Sequence, residues 1–134
     1  MPSVSNIKTA GVDANAFTLL ARRFIESIAP GSFKAFVGDL QAAGLSQETV
    51  FQNAAGTLSA LIGEGDKSGA LARSASLWST PSAIMKNSKV GRGDILGSLL
   101  SALSVLSRPV AQKWAVAWFK NDISGKVEIY GRQK

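Results

Sequence analysis

The chain has 134 residues, a net charge of +6, and neither cysteine nor histidine. Its length fits one domain that buries its own hydrophobic core. Without cysteine there are no disulfides or thiolate ligands, and without histidine the commonest general base is missing, so we predict a non-enzymatic protein with no cofactor and no metal.

The chain opens with a polar segment and a first amphipathic helix. Residues 1–12 contain many small polar residues, and we predict a flexible arm there. Asp13 is the predicted cap of a helix in which apolar side chains recur every three or four residues from Phe17 to Ile28. The pair Pro30-Gly31 ends this helix.

Two further helices are predicted next, separated by a short glycine turn. Ser32 is the predicted cap of the second helix, which ends at Gly44, and Ser46 begins the third, which ends at Gly63. The apolar spacing assigns one inward face to each helix. The predicted inward residues are Phe33, Phe36, Val37 and Leu40 in the second helix and Val50, Ala54, Leu58, Leu61 and Ile62 in the third.

The middle of the chain alternates loops with short helices. Residues 63–69, GEGDKSG, are small and polar and predict a mobile loop, and a short helix is predicted over residues 70–78. The pair Thr80-Pro81 indicates the start of another helix, which we expect to reach about residue 87. Residues 89–93, KVGRG, follow as a basic loop.

The most apolar helix is predicted over residues 95–107, with Asp94 as its cap. Apolar side chains cover so much of its circumference that we expect it at the centre of the fold. Those side chains are Ile95, Leu96, Leu99, Leu100, Leu103, Val105 and Leu106. Pro109 either breaks this pattern or begins another helix, on which Trp114 and Trp118 share one face and are predicted to enter the core.

The C-terminal residues predict a change of structure. Residues 121–125 are typical of a turn, and residues 126–130, KVEIY, alternate charged and apolar side chains, as a short β-strand does. The predicted fold class is therefore mainly α. We predict a compact domain of six or seven short helices over residues 13–125, a flexible arm over residues 1–12, and a short strand with a basic tail over residues 126–134.

Basic residues are concentrated in the second half of the chain. Residues 1–67 contain five basic and six acidic side chains, whereas residues 68–134 contain ten basic and three acidic ones. Such asymmetry favours a polyanionic partner, and we predict contacts with the phosphates of RNA or DNA; a charge that serves solubility alone is the simplest alternative. The predicted nucleic-acid-binding residues are Arg73, Lys86, Lys89, Arg92, Arg108, Lys113, Lys120, Lys126 and Arg132.

Glycine and aromatic residues interleave with these basic residues. Gly91 and Gly93 are predicted to let backbone amides approach a phosphate closely. Trp78 and Tyr130 could each stack on an unpaired base or pack in the core, and the sequence favours neither alternative.

Motifs for nucleotide or metal binding fail on spacing. In GEGDKSG, Asp66 stands where a phosphate-binding loop requires glycine, and no strand is predicted before the loop. Glu64 and Asp66 are too few carboxylates for a calcium site. We therefore predict neither kind of site here.

Three functions fit these features. The first is a structural nucleic-acid-binding protein that forms homo-oligomers, in the manner of a small coat or nucleocapsid subunit. The second is a helical adaptor for an acidic protein, with the helix over residues 95–106 supplying a groove or an inserted helix. The third is a protein active at the membrane interface, based on the apolar and then basic, tryptophan-bearing segment 93–120.

The cellular location is predicted from two sequence features that are missing: a secretory signal and a membrane-spanning stretch. The first eleven residues lack the apolar stretch of a secretory signal, and the longest apolar-leaning run, residues 95–106, is shorter than the roughly 20 residues of a membrane-spanning helix. We expect a soluble protein, intracellular or virion-associated, that is not secreted by a signal peptide and has no membrane-spanning segment.

Overall fold

The computed structural model describes residues 11–64, 78–86 and 90–120, and this part of the chain contains six α-helices and no strand. The predicted mainly α fold class is confirmed. The predicted helix over residues 70–78 lies almost entirely outside the described residues, and the predicted strand over residues 126–130 lies wholly outside them. The helices are α1 (Ala14–Glu26), α2 (Ser32–Ala42), α3 (Gln47–Glu64), α4 (Pro81–Met85), α5 (Arg92–Leu106) and α6 (Arg108–Lys120).

Helix α5 lies at the centre of the domain and packs against α1, α3 and α6. Eight of its 15 residues are buried. A helix with apolar side chains on most of its circumference removes the most surface from water when neighbours cover several of its sides. The predicted central position of this helix is therefore confirmed.

Two of the predicted helix caps are confirmed. The Asp13 carboxylate accepts a hydrogen bond from the Ala16 N–H at 2.9 Å, at the start of α1. The Thr80 hydroxyl accepts one from the Ala83 N–H at 3.1 Å, and Pro81 occupies the first position of α4. Both caps supply acceptors to amides that have no partner within their own helix.

The start of α1 is tied to the rest of the domain by its backbone. The Asp13 N–H donates to the Trp78 carbonyl oxygen at 3.0 Å. The Val12 N–H donates to the Ser59 hydroxyl oxygen at 2.7 Å, which links this segment to α3. The Val12 side chain is itself buried in the core.

The cap of α2 differs from the prediction. Ser32 is the first residue of the helix, and the preceding Gly31 is the cap, with φ of 83°. The Glu26 carboxylate accepts from the Gly31 and Phe33 N–H groups at 2.7 and 3.0 Å, so a side chain from α1 supplies the acceptors that Ser32 was expected to provide. These hydrogen bonds lower the pKa of Glu26. Glycine suits this turn because its left-handed backbone strains other residues.

Helix α5 also starts earlier than predicted. It begins at Arg92, with Gly91 as the cap, so Asp94 is the third helical residue rather than the cap. The Asp94 carboxylate still serves the helix start, because it accepts a hydrogen bond from the Gly91 N–H at 2.8 Å. The end of another helix also differs from the prediction: α3 ends at Glu64, one residue beyond the predicted end at Gly63.

Two residues predicted to face the core are exposed instead. Leu61 is 50% exposed and Val105 is 84% exposed. On α5, Val105 follows the exposed Ser101 by one helical turn, while Ala102 and Leu103 face the neighbouring helices. On α3, the buried stripe includes Phe51, which the predicted face omitted.

Phe51 is buried because α1 and α2 both cover its helix. Its ring centroid lies 6.4 Å from that of Phe17 in α1 and 6.3 Å from that of Phe36 in α2. Phe36 in turn lies 5.4 Å from Trp114 and 5.7 Å from Trp118. This aromatic group joins four helices, and the prediction that both tryptophans enter the core is confirmed.

Truncating the central helix on its buried side should destabilise the protein far more than truncating its exposed side. Leu99 is fully buried, so Leu99→Ala should lower the free energy of unfolding by about 2–5 kcal/mol. Val105→Ala should change it by less than about 0.5 kcal/mol. Urea unfolding followed by circular dichroism measures both, and equal losses would contradict the assigned faces.

Candidate nucleic-acid interface

The structure describes the side chains of four of the predicted nucleic-acid-binding residues. All four are exposed: Lys86, Arg92, Arg108 and Lys113. Lys120 is the last residue of α6, and nothing is described of its side chain. The remaining predicted residues, Arg73, Lys89, Lys126 and Arg132, lie outside the described residues.

Lys86 and Arg92 flank residues 87–89 at the boundary between α4 and α5. Lys86 is the C-terminal cap of α4, and Arg92 is the first residue of α5. Neither side chain forms an ion pair with a carboxylate of the described residues. Both positive charges are therefore available to an anion from solution.

The predicted role of the two glycines in this segment is wrong. The Gly91 N–H already donates to the Asp94 carboxylate at 2.8 Å, and Gly93 is buried in the first turn of α5. A phosphate arriving here would meet the negative charge of Asp94 before it met the Gly91 amide. An anion bound at this end of α5 would therefore rely on the Lys86 and Arg92 side chains.

Arg108 lies at the opposite end of the central helix. It is the first residue of α6, and a helix of 15 residues such as α5 is about 22 Å long. Arg92 and Arg108 therefore do not share one local cluster. A ligand that contacts both has to be extended, as a nucleic-acid strand is.

Lys113 is already paired within the protein. Its ammonium nitrogen lies 2.7 Å from the Asp39 carboxylate, and the Trp114 indole N–H donates to the same oxygen at 2.8 Å. These contacts join α2 to α6. The hydrogen bonds from Lys113 and Trp114 hold the pKa of Asp39 below its usual range, against the opposing effect of burial. Lys113 is thus less available to phosphate than the other three described residues.

Aromatic stacking on a base is not supported at Trp78, which is 4% exposed. Of the two alternatives, base stacking and core packing, the burial of Trp78 therefore favours core packing. Tyr130, the other candidate, lies outside the described residues.

None of the five cations of the first half was in the predicted site, and the structure describes three of them. Arg22 and Arg23 of α1 and Lys34 of α2 are all exposed. The Arg22 guanidinium lies 5.4 Å from the centre of the Phe33 ring, so part of its environment is aromatic. None of the three forms an ion pair within the described residues.

Among the described residues, most carboxylates accept hydrogen bonds within the fold, whereas the cations are exposed. Five acidic residues have described side chains, and four of them accept hydrogen bonds that hold helix ends or neighbouring helices: Asp13, Glu26, Asp39 and Asp94. The fifth, Glu48, accepts only from the Gln52 side chain, at 3.3 Å. All seven cations with described side chains are exposed, and Lys113 is the one that is paired among the described residues.

The described part of the chain offers no support for a metal cluster or a membrane-spanning helix. No group of three or more carboxylates there is placed to hold a metal ion. None of the helices described there has both the length and the apolar character needed to cross a bilayer.

Comparison with known proteins found no matching family model, no similar curated protein and no similar solved structure.

Removing the Asp39 charge should weaken the α2–α6 contact in a pH-dependent way. Because the folded state lowers the pKa of Asp39, this group stabilises the fold above its unfolded pKa of about 3.9, and that contribution is lost as the pH falls through the lower folded value. Asp39→Asn should therefore lower the free energy of unfolding by about 1 kcal/mol at neutral pH. The difference from wild type should shrink below about pH 4.

Urea unfolding across a pH series measures this difference. Glu48→Gln is the matched control, since it removes an exposed carboxylate that contacts only Gln52, and it should have little effect. A difference for Asp39→Asn that stays constant down to acidic pH would refute the assigned role of its charge.

Proposed function

We propose that this chain is a non-enzymatic nucleic-acid-binding protein that contacts phosphates and assembles into homo-oligomers, as a small coat or nucleocapsid subunit does. It acts inside a cell or within a virus particle. The observation that carries this proposal is the unequal use of charge among the described residues. Most carboxylates accept hydrogen bonds within the fold, whereas the cations face solvent.

This arrangement supports a phosphate ligand for an electrostatic reason. A carboxylate that caps a helix is held close to the backbone, where it offsets the positive end of the helix dipole. Such a carboxylate neutralises few of the exposed ammonium and guanidinium groups. Cations left without protein partners gain free energy when they replace the counterions condensed on a nucleic acid.

The positions of the cations support binding along an extended strand rather than in one pocket. Arg92 and Arg108 stand at opposite ends of α5, about 22 Å apart along the helix. That length corresponds to about six steps of 3.4 Å along one strand of DNA. Contacts of this kind go to the backbone and carry little sequence information.

Lys86 and Arg92 are the two exposed cations at the boundary between α4 and α5 on which phosphate binding should depend. The double substitution Lys86→Ala and Arg92→Ala should weaken binding of a fluorescein-labelled oligonucleotide of about 20 nucleotides by roughly tenfold at constant salt, equally for different sequences. Fluorescence anisotropy measures the dissociation constant. Circular dichroism checks that the variant is folded.

The control removes the same charge from the first half of the chain. Arg23→Ala with Lys34→Ala takes away two exposed cations that lie outside the predicted site. It should weaken binding clearly less than the first pair. Equal losses of affinity from both pairs would show that binding depends on net charge alone, and they would refute the assigned site.

Assembly is tested separately by sedimentation velocity of the purified chain with and without the same oligonucleotide. We expect a larger oligomer when the oligonucleotide is present, because neutralised cations no longer repel one another between subunits. A chain that binds the oligonucleotide but stays monomeric at every ratio would remove the coat-type part of the proposal and leave phosphate binding intact.

A further inference from the structure

An open groove runs between α5 and α6 on the surface of the domain. Its volume is about 480 Å³, and small side chains line it on both sides, including Gly97 and Ser101 of α5 and Ala111 and Ala115 of α6. Arg108 also lines it, at the end where the two helices join. The small side chains leave room for another element to approach both helices closely.

The groove is mostly apolar although serines line it. The Ser104 hydroxyl donates to the Ser101 carbonyl oxygen at 2.8 Å, so its hydrogen-bonding capacity is directed into its own helix. Leu100, in the lining, is 7% exposed and belongs to the core. A phosphate backbone gains little from such a surface, and an apolar ligand gains more.

Exposed apolar side chains adjoin this groove on both helices. Among the described residues, four large hydrophobic side chains are exposed, and two of these are Val105 and Val116. Val105 follows Ser104 in the sequence and Val116 follows Ala115, and both of those neighbours line the groove. Each valine also lies one helical turn after a lining residue, Ser101 or Gln112, and exposed apolar side chains beside an apolar groove are typical of protein interaction sites.

We propose that this groove binds an amphipathic, acidic helix of another protein. The lining of α5 extends from Gly97 to Ser104, which is about 10 Å or two helical turns. This length accommodates the apolar side chains that a bound helix presents at positions i, i+3 or i+4, and i+7. The groove shares Arg108 with the phosphate-binding site proposed above, but its apolar lining does not depend on that function.

Charge selects the partner. Arg108 is the charged residue of the lining, no carboxylate lines the groove, and Arg108 has no ion pair within the described residues. A helix that places a carboxylate at that end of the groove would pair with the guanidinium. A second copy of this chain carries the same charge of +6, so electrostatic repulsion disfavours it as the occupant.

A phage-displayed library of amphipathic helical peptides tests the proposal on the full chain. Selected peptides should carry apolar residues at helical spacing together with a carboxylate. Ser101→Tyr fills the groove from an exposed position and should weaken their binding by at least about tenfold, as measured by fluorescence anisotropy. The matched control, Ser82→Tyr on an exposed position of α4, should leave binding unchanged.

The role of Arg108 is tested with a double-mutant cycle. Arg108→Gln should weaken binding of a selected peptide by about three- to tenfold, and the same substitution should have no further effect once the peptide glutamate is replaced by glutamine. Arg23→Gln, which removes an exposed charge on α1, should have no effect on peptide binding.

Three results would overturn the proposal. One is that the library yields no enriched peptide, or only peptides that bind the Ser101→Tyr variant as well as wild type. Another is that Ser101→Tyr weakens binding of an oligonucleotide of about 20 nucleotides as much as it weakens peptide binding, which would assign the groove to nucleic acid. The third is self-association of the wild-type chain that Ser101→Tyr abolishes, which would make a second copy the occupant.

Discussion

Acidic side chains are scarce in this protein, and most of those that the structure describes are committed to the fold itself. The chain has 9 acidic and 15 basic residues. Amides at helix starts and the buried Trp114 indole gain from an acceptor, since a buried donor without a partner costs about 1–3 kcal/mol. Asp13, Glu26 and Asp94 serve amides at helix starts, and Asp39 serves Trp114. The exposed cations consequently have few partners among the residues that the structure describes.

The central helix links this electrostatic arrangement to the hydrophobic core. Burial of α5 by three neighbouring helices leaves its ends at the surface, where Arg92 begins it and Arg108 follows it. The same helix forms one wall of the groove shared with α6. One element therefore supports two surfaces of different character: charged ends suited to phosphates, and an apolar groove suited to a helix. Arg108 belongs to both surfaces, so they are tested separately through Lys86 and Arg92 for phosphate binding and through Ser101 for the groove.

The sequence predicted those features that depend on local spacing, and it failed where distant residues decide. The periodic apolar residues identified the central helix and placed Trp114 in the core. They did not show that Val105 would be exposed, because exposure depends on which neighbours cover that side of α5. The acceptor at the start of α2 comes from Glu26, on the preceding helix, rather than from Ser32. The sequence shows directly that basic residues are in excess, but no local pattern in it indicates that Lys113 pairs with Asp39.

The salt dependence of oligonucleotide binding by the wild-type chain tests the central claim most directly. If the cations of the second half replace counterions on phosphates, the logarithm of the binding constant falls linearly with the logarithm of salt concentration, with a slope of about −0.7 for each phosphate contacted on a single strand. We expect a slope of about −2 or steeper between about 50 and 200 mM salt. Binding that is insensitive to salt, or absent at the lowest concentration, would contradict the account.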